Sequence, residues 1–110
     1  MCVFCSIING IIPSTKVYED EEFIIIKDIE PIAKCHYLAI PKNHYKYLSE
    51  MKESDLKVIN KILTTIPTIQ NELGLKNGYR LVINQGDDAG QSVPHLHIHI
   101  IGGEPLEWHK

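Results

Sequence analysis

"SVPHLHIHIIGG", residues 92–103, places His95, His97 and His99 at every second position, with Leu96, Ile98, Ile100 and Ile101 filling the gaps and following on. A β-strand sends alternate side chains to opposite faces, whereas a helix scatters positions i, i+2 and i+4 around its circumference. The stretch "PHLHIHII", 94–101, therefore reads as a strand with three imidazoles on one face and aliphatic side chains buried on the other. Residues two apart on a strand face are separated by roughly 6.6 Å, so the backbones of His95 and His99 lie about 13 Å apart. One metal ion can bridge neighbours in such a row, but not all three. Three of the six histidines of the chain fall within five residues, and we read the row as a chemical site.

The elements around that strand set its context. "YRLVIN", 79–84, reads as a strand joined to it by the polar loop "QGDDAGQSV", 85–93. Upstream, "STKVYED" and "EFIIIKD" read as strands meeting at an acidic turn near Asp20 and Glu21, and "HYLAIP" as a third bounded by Pro31 and Pro41. From Ser54 onward Leu56, Ile59, Leu63, Ile66, Ile69 and Leu73 recur at spacings of three and four, the stripe of an amphipathic helix closed at Gly74. Pro67 removes the hydrogen bond to Leu63 and predicts a kink or a division into two shorter helices. "FCSIIN", 4–9, is a short helix stopped by Asn9-Gly10 and Pro13. Strands grouped around one long helix predict an α+β fold with an antiparallel sheet.

The 110 residues predict a single domain spanning 1–110. With 11 basic and 14 acidic residues the net charge is −3, and no polybasic run suits duplex nucleic acid or an anionic membrane surface. The start "MCVFCSIING" has no basic leader and no segment approaches a membrane-spanning length. These features predict a soluble, cytoplasmic protein, with no nucleic-acid or membrane partner. Three cysteines suit a reducing compartment better than a disulfide framework.

The loop before the histidine row holds Gly86, Gly90, Gln91 and Ser92. Its glycines can turn backbone amides toward a phosphate and Ser92 can add a hydroxyl, while Asp87 and Asp88 must face solvent. A histidine row beside an anion cradle admits two chemistries. A neutral imidazole can attack phosphorus or a carbonyl while a neighbouring donor offsets the developing charge. Alternatively the histidines hold a metal that activates water. Cys2 and Cys5 form a C-x-x-C with no preceding strand for a thioredoxin-type redox motif, so they read as half a tetrahedral zinc site that two histidines complete. Cys35 has no partner in the sequence and reads as a core thiol. Asp28, closing the isoleucine run, can accept hydrogen bonds from ligand hydroxyls. His36 and His44 flank "YLAIPKN" and read as structural or as ligands. Trp108 and His109, near the end, suggest a terminus docked on something.

Together "FCSIINGIIPSTKVYEDEE", "DIEPIAKCHYLAIPKNHY", "LGLKNGYRLVINQGDDAGQSVPHLHIHIIGG" and the tryptophan near the end resemble the histidine triad (HIT) family, in its nucleotide-binding (Hint-like) branch. The resemblance runs in family order over essentially the whole chain. It implies a five-stranded antiparallel sheet with one long helix and a short N-terminal helix, paired as a homodimer through the long helix and adjoining strand. It implies binding of a purine nucleoside monophosphate and hydrolysis of its phosphoramidate at the α-phosphorus through a nucleotidyl-histidine. By the same resemblance His97 is the nucleophile, and His99, Ser92, Gln91 and Asn84 bind the phosphate. Asp28 holds the ribose hydroxyls, Ile29 flanks the base, and Cys2, Cys5, His44 and His95 bind a structural zinc ion. The chain departs from the family pattern at Pro94, at Cys35 and in placing Cys2 directly after the first methionine. Alternatives are a non-catalytic purine nucleotide-binding module, a dinucleoside polyphosphate hydrolase, which the C-terminal tryptophan disfavours by resemblance, and a metallohydrolase using the row directly.

Overall fold

The computed structural model describes residues 2–108. Helix α1 (Val3–Ile8) is followed by strands β1 (Lys16–Glu19), β2 (Phe23–Lys27) and β3 (Cys35–Pro41), helix α2 (Lys57–Ile69), and strands β4 (Tyr79–Val82) and β5 (Ile98–Gly102). The strands form one antiparallel sheet in the order β1-β2-β3-β5-β4. The predicted α+β class with five antiparallel strands is the observed one. No helix among the described residues is long and apolar enough to cross a membrane.

The unbroken run Phe23-Ile24-Ile25-Ile26 follows from a strand covered on both faces. Phe23 and Ile25 join Tyr37, Ala39, Ile98 and Ile100 under α2, while Ile24 and Ile26 join Leu38 and Ile40 under Phe4 and Ile7 of α1. Alternation on β2, β3 and β5 thus feeds two cores separated by the sheet.

Helix α2 and the turn after it bury most of the stripe the sequence suggests: Ile66 and Leu73 lie in the core, Ile59 and Ile69 pack against it, and only Leu56 and Leu63 are left out. Val58, Ile62 and Ile66 face the sheet, whereas Leu56 and Leu63 are 39% and 45% exposed. Val58 and Ile62 precede Ile59 and Leu63 by one position, about 100° around the helix axis, so contact with the sheet shifts the buried face toward them. Pro67 sits in the last turn of one continuous helix, so the two-helix alternative does not occur. Ile62 is fully buried, and Ile62→Ala should cost about 2–5 kcal/mol, read as a lower urea midpoint at unchanged m-value.

The histidine strand is shorter than expected. The ladder begins at Ile98, opposite Ala39, and excludes residues 94–97. Pro41, two residues beyond Ala39 on β3, has no N–H to give, and its carbonyl oxygen is taken by the His95 ring at 2.8 Å. Leu96 is held instead by the Tyr45 carbonyl, 2.6 Å away.

Candidate active site

The three imidazoles do not act as a set, because each ring nitrogen has a different partner. His95 is fully buried and its Nε2–H donates to the Pro41 carbonyl. Nδ1 is left as a lone pair, 3.3 Å from Cys2 Sγ and 3.6 Å from Cys5 Sγ. His44 Nδ1 lies 3.3 Å from Cys5 Sγ, and all four donor atoms fall within 4.8 Å of one another. Four ligands at 2.0–2.3 Å around a tetrahedral ion are separated by roughly 3.3–3.8 Å, so these four residues fit zinc. Their positions follow from local structure. Cys2 caps α1, its sulfur accepting the Cys5 N–H at 3.3 Å, and the Pro41 carbonyl orients the His95 ring as an outer-shell acceptor does in metal sites. Burial, and then the adjacent Cys2, push the Cys5 thiol up, a cost that a bound cation relieves.

His97 is also buried, but its Nδ1–H donates to the His95 carbonyl oxygen at 2.7 Å. A neutral ring held this way carries its free lone pair on Nε2. Phe4 packs edge-on against both His97 and His95, with ring centroids 5.0 and 5.8 Å apart. The His97 ring lines a cleft of about 790 Å³ together with His99, Asp28, Ile29, Asn84 and Ser92. The lone pair of such a neutral ring, beside polar donors in an apolar-walled cleft, has the make-up of a nucleophile in an anion site.

His99, the third member, has its centroid 5.0 Å from that of His97. Burial, and then the neighbouring His97 and His36, push its pKa down to about 4, so at neutral pH it is an uncharged hydrogen-bonding group. Burial likewise lowers the pKa of His36, against the pull of Asp28. In the unfolded chain both titrate near 6.5, so below pH 6.5 the unfolded state binds protons the folded state refuses, down to about 4 for His99. Stability from these two groups should be complete above pH 6.5 and drain away as pH falls toward 4. Urea midpoints measured across that window should decline steadily; a flat profile from pH 7 to 5 would show that the pair is not held neutral.

The loop over 85–93 carries a 3-10 turn at Asp87–Ala89 between Gly86 (φ +84°) and Gly90 (φ +77°), backbone angles that side chains resist. Asp87 and Asp88 are exposed to solvent. Ser92 and Asn84 reach the cleft, but the Gln91 side chain is not among its lining. Its Oε1 accepts the Gly86 N–H at 2.8 Å and its Nε2–H donates to the Lys46 carbonyl at 2.9 Å, so Gln91 staples the loop. Ile29, 93% exposed, and Trp108, 84% exposed, stand on the cleft wall. Arg80 holds the Trp108 segment, donating to the Glu107 carbonyl at 2.9 Å with its guanidinium 5.4 Å from the indole centroid. His109 lies outside the described residues.

Sequence reading did not assign Phe4 or Arg80, and left His36 undecided. For Phe4 the available signal was its place one residue before Cys5, on the helix the cysteines anchor.

The family described as "Scavenger mRNA decapping enzyme C-term binding" matches residues 1–108. An uncharacterized HIT-like protein of Chlamydia muridarum is 46% identical over 101 residues, covering 92% of this chain and 80% of that protein. The chain belongs to the histidine triad family. Its fold is that of a HIT family hydrolase from Legionella pneumophila, with a TM-score of 0.92 at 38% identity over 98% of this chain and 97% of that one. A zinc-bound histidine triad protein from Mycobacterium smegmatis superimposes with a TM-score of 0.80 at 37% identity, covering 91% of this chain and 73% of that one.

Proposed function

We propose that this histidine triad protein is a purine nucleoside phosphoramidate hydrolase of the Hint-like branch, working through a nucleotidyl-histidine at His97. The observation that carries the reading is the bond from His97 Nδ1–H to the His95 carbonyl, which in the neutral ring puts the free lone pair on Nε2 of a side chain lining the cleft. In the proposed reaction Nε2 attacks the α-phosphorus, the leaving nitrogen takes a proton from solvent, and the P–N bond breaks to free the amine. Water then attacks the phosphorus of the adduct, releasing the nucleoside monophosphate and restoring His97. His99, Ser92 and Asn84 supply donors to the phosphoryl oxygens, and Asp28 accepts from the ribose hydroxyls. Exposed Ile29 offers the base an apolar wall.

In this reading Cys2, Cys5, His44 and His95 hold zinc, whose chemistry is structural: it ties the N-terminal helix to the segment that carries His97. A homodimer is also part of the proposal, supported by the uncovered leucines of α2 and by Leu81, 37% exposed on edge strand β4. Leu63→Glu should convert the dimer to a monomer, read by light scattering on a sizing column; a wild type that is monomeric at micromolar concentration would remove this part.

The test of the reading is AMP release from adenosine 5′-phosphoramidate by the wild type, with mass spectrometry of a quench that spares acid-labile adducts. Turnover with a nucleotidylated protein supports it. Tight AMP binding without turnover would make the protein a nucleotide-binding module, and faster cleavage of a dinucleoside polyphosphate would change the substrate class.

A further inference from the structure

Asp28, His36 and His99 line up across β2, β3 and β5, on the face turned to α1. Asp28 follows the Lys27–Tyr37 pair and its N–H donates to the His36 carbonyl at 3.0 Å, while His99 pairs with Leu38, two residues along β3. Buried His36 accepts the Ile32 N–H on Nδ1 at 3.1 Å. A neutral imidazole has one N–H, so that of His36 is on Nε2. This single proton faces two acceptors, His99 Nδ1 at 2.9 Å and Asp28 Oδ2 at 3.3 Å. His99 then carries its own proton on Nε2. The three donor atoms are close enough to suggest a cation site, but a metal would need the lone pair that His36 Nε2 does not have.

We propose that His36 is a positioning residue that couples sugar recognition at Asp28 to phosphate recognition at His99; the inference rests on the nucleotide reading above. The second Asp28 oxygen already accepts the Glu30 N–H at 2.8 Å, so a ribose hydroxyl arriving at this carboxylate competes with His36 for it. As Asp28 is drawn to the hydroxyl, the His36 proton turns fully to His99 Nδ1. An imidazole that accepts a stronger bond on one nitrogen donates more strongly from the other. His99 Nε2–H therefore grips the phosphoryl oxygens hardest when a ribose is in place, and sugar contacts appear in kcat as well as in KM. No proton changes its owner: it stays on His36 throughout.

The test compares adenosine 5′-phosphoramidate with its 2′,3′-dideoxy counterpart on wild type, His36→Leu and His36→Gln. In the wild type, loss of the hydroxyls should lower kcat about tenfold, the scale of coupling between touching groups. His36→Leu should lower kcat on the parent substrate by a similar factor and erase the kcat difference between the two substrates. His36→Gln, which keeps an N–H at the ε position, should recover part of both. Nitrogen-15 NMR of the imidazoles supplies a readout independent of turnover and, in the wild type, independent of any variant. His99 should be the Nε2–H tautomer in wild type and a mixture in His36→Leu, and AMP should shift its nitrogens more than 2′,3′-dideoxy-AMP does. A hydroxyl effect confined to KM, equal kcat ratios in wild type and His36→Leu, or equal His99 shifts with the two monophosphates would overturn the coupling. Absence of turnover with unequal shifts would sink the hydrolase reading and leave the coupling standing. Absence of AMP binding would end both.

Discussion

His97→Ala should lower kcat for adenosine 5′-phosphoramidate by on the order of 10⁴-fold or more, the scale of losing a nucleophile that no neighbour replaces. The nucleotidylated protein should vanish from the quenched sample at the same time. His99, Ser92 and Asn84 remain in the cleft, so AMP affinity should fall far less than turnover. That split separates loss of the attacking atom from loss of the binding site. His97 also packs against Phe4, so its truncation lowers the melting temperature, and rates belong well below it; His97→Gln, closer in volume, should be equally inactive. An adduct that persists in His97→Ala would place the nucleophile elsewhere. Its absence from the wild type under rapid quench would instead favour direct attack by water.

Removing zinc should produce the largest change in stability. A ligand present at about 1,000 times its Kd stabilises the folded state by about 4.1 kcal/mol, which for a domain of this size corresponds to a fall of roughly 15 °C or more in Tm on chelation. Cys5→Ser should reproduce the loss without chelator, since its sulfur lies within 3.6 Å of both histidine ligands. Metal content by mass spectrometry should be about one zinc per chain in wild type and much less in the variant. Initial rates measured well below the lowered Tm should survive chelation, because the proposed metal ligands include His95 whereas the proposed nucleophile is His97. Complete loss of activity in a chelated protein that is still folded would revive the metal-activated water. A purified wild type without zinc, whose Tm ignores chelator, would remove the metal from the account.

The histidine row, the strand-rich α+β class and the C-x-x-C were legible in the sequence because each is a local pattern. Backbone geometry fixes a two-residue period on a strand and a 3.6-residue period on a helix whatever surrounds them. The division of labour within the row was not local. His95 turns to the metal group because Pro41, 54 residues earlier, presents its carbonyl to the ring, and that same bond helps to end the ladder at Ile98. His36 reads as an isolated histidine until the pairing of β3 with β5 brings it within 2.9 Å of His99, 63 residues away. The apolar stripe of α2 was legible at Ile59, Ile66 and Ile69, which reach the core, while packing turned Val58 and Ile62 inward as well and left Leu56 and Leu63 outside. Gln91 reads as a phosphate ligand by position, yet its amide closes the loop on Gly86 and Lys46. The sequence by itself determined which residues alternate, which can ligate and which can donate. For His95 and His99 the nitrogen that holds the proton was decided by tertiary structure, because a neutral imidazole has one N–H and their partners, the Pro41 carbonyl and the His36 ring, arrive from another strand, whereas His97 gives its proton to the His95 carbonyl two residues away.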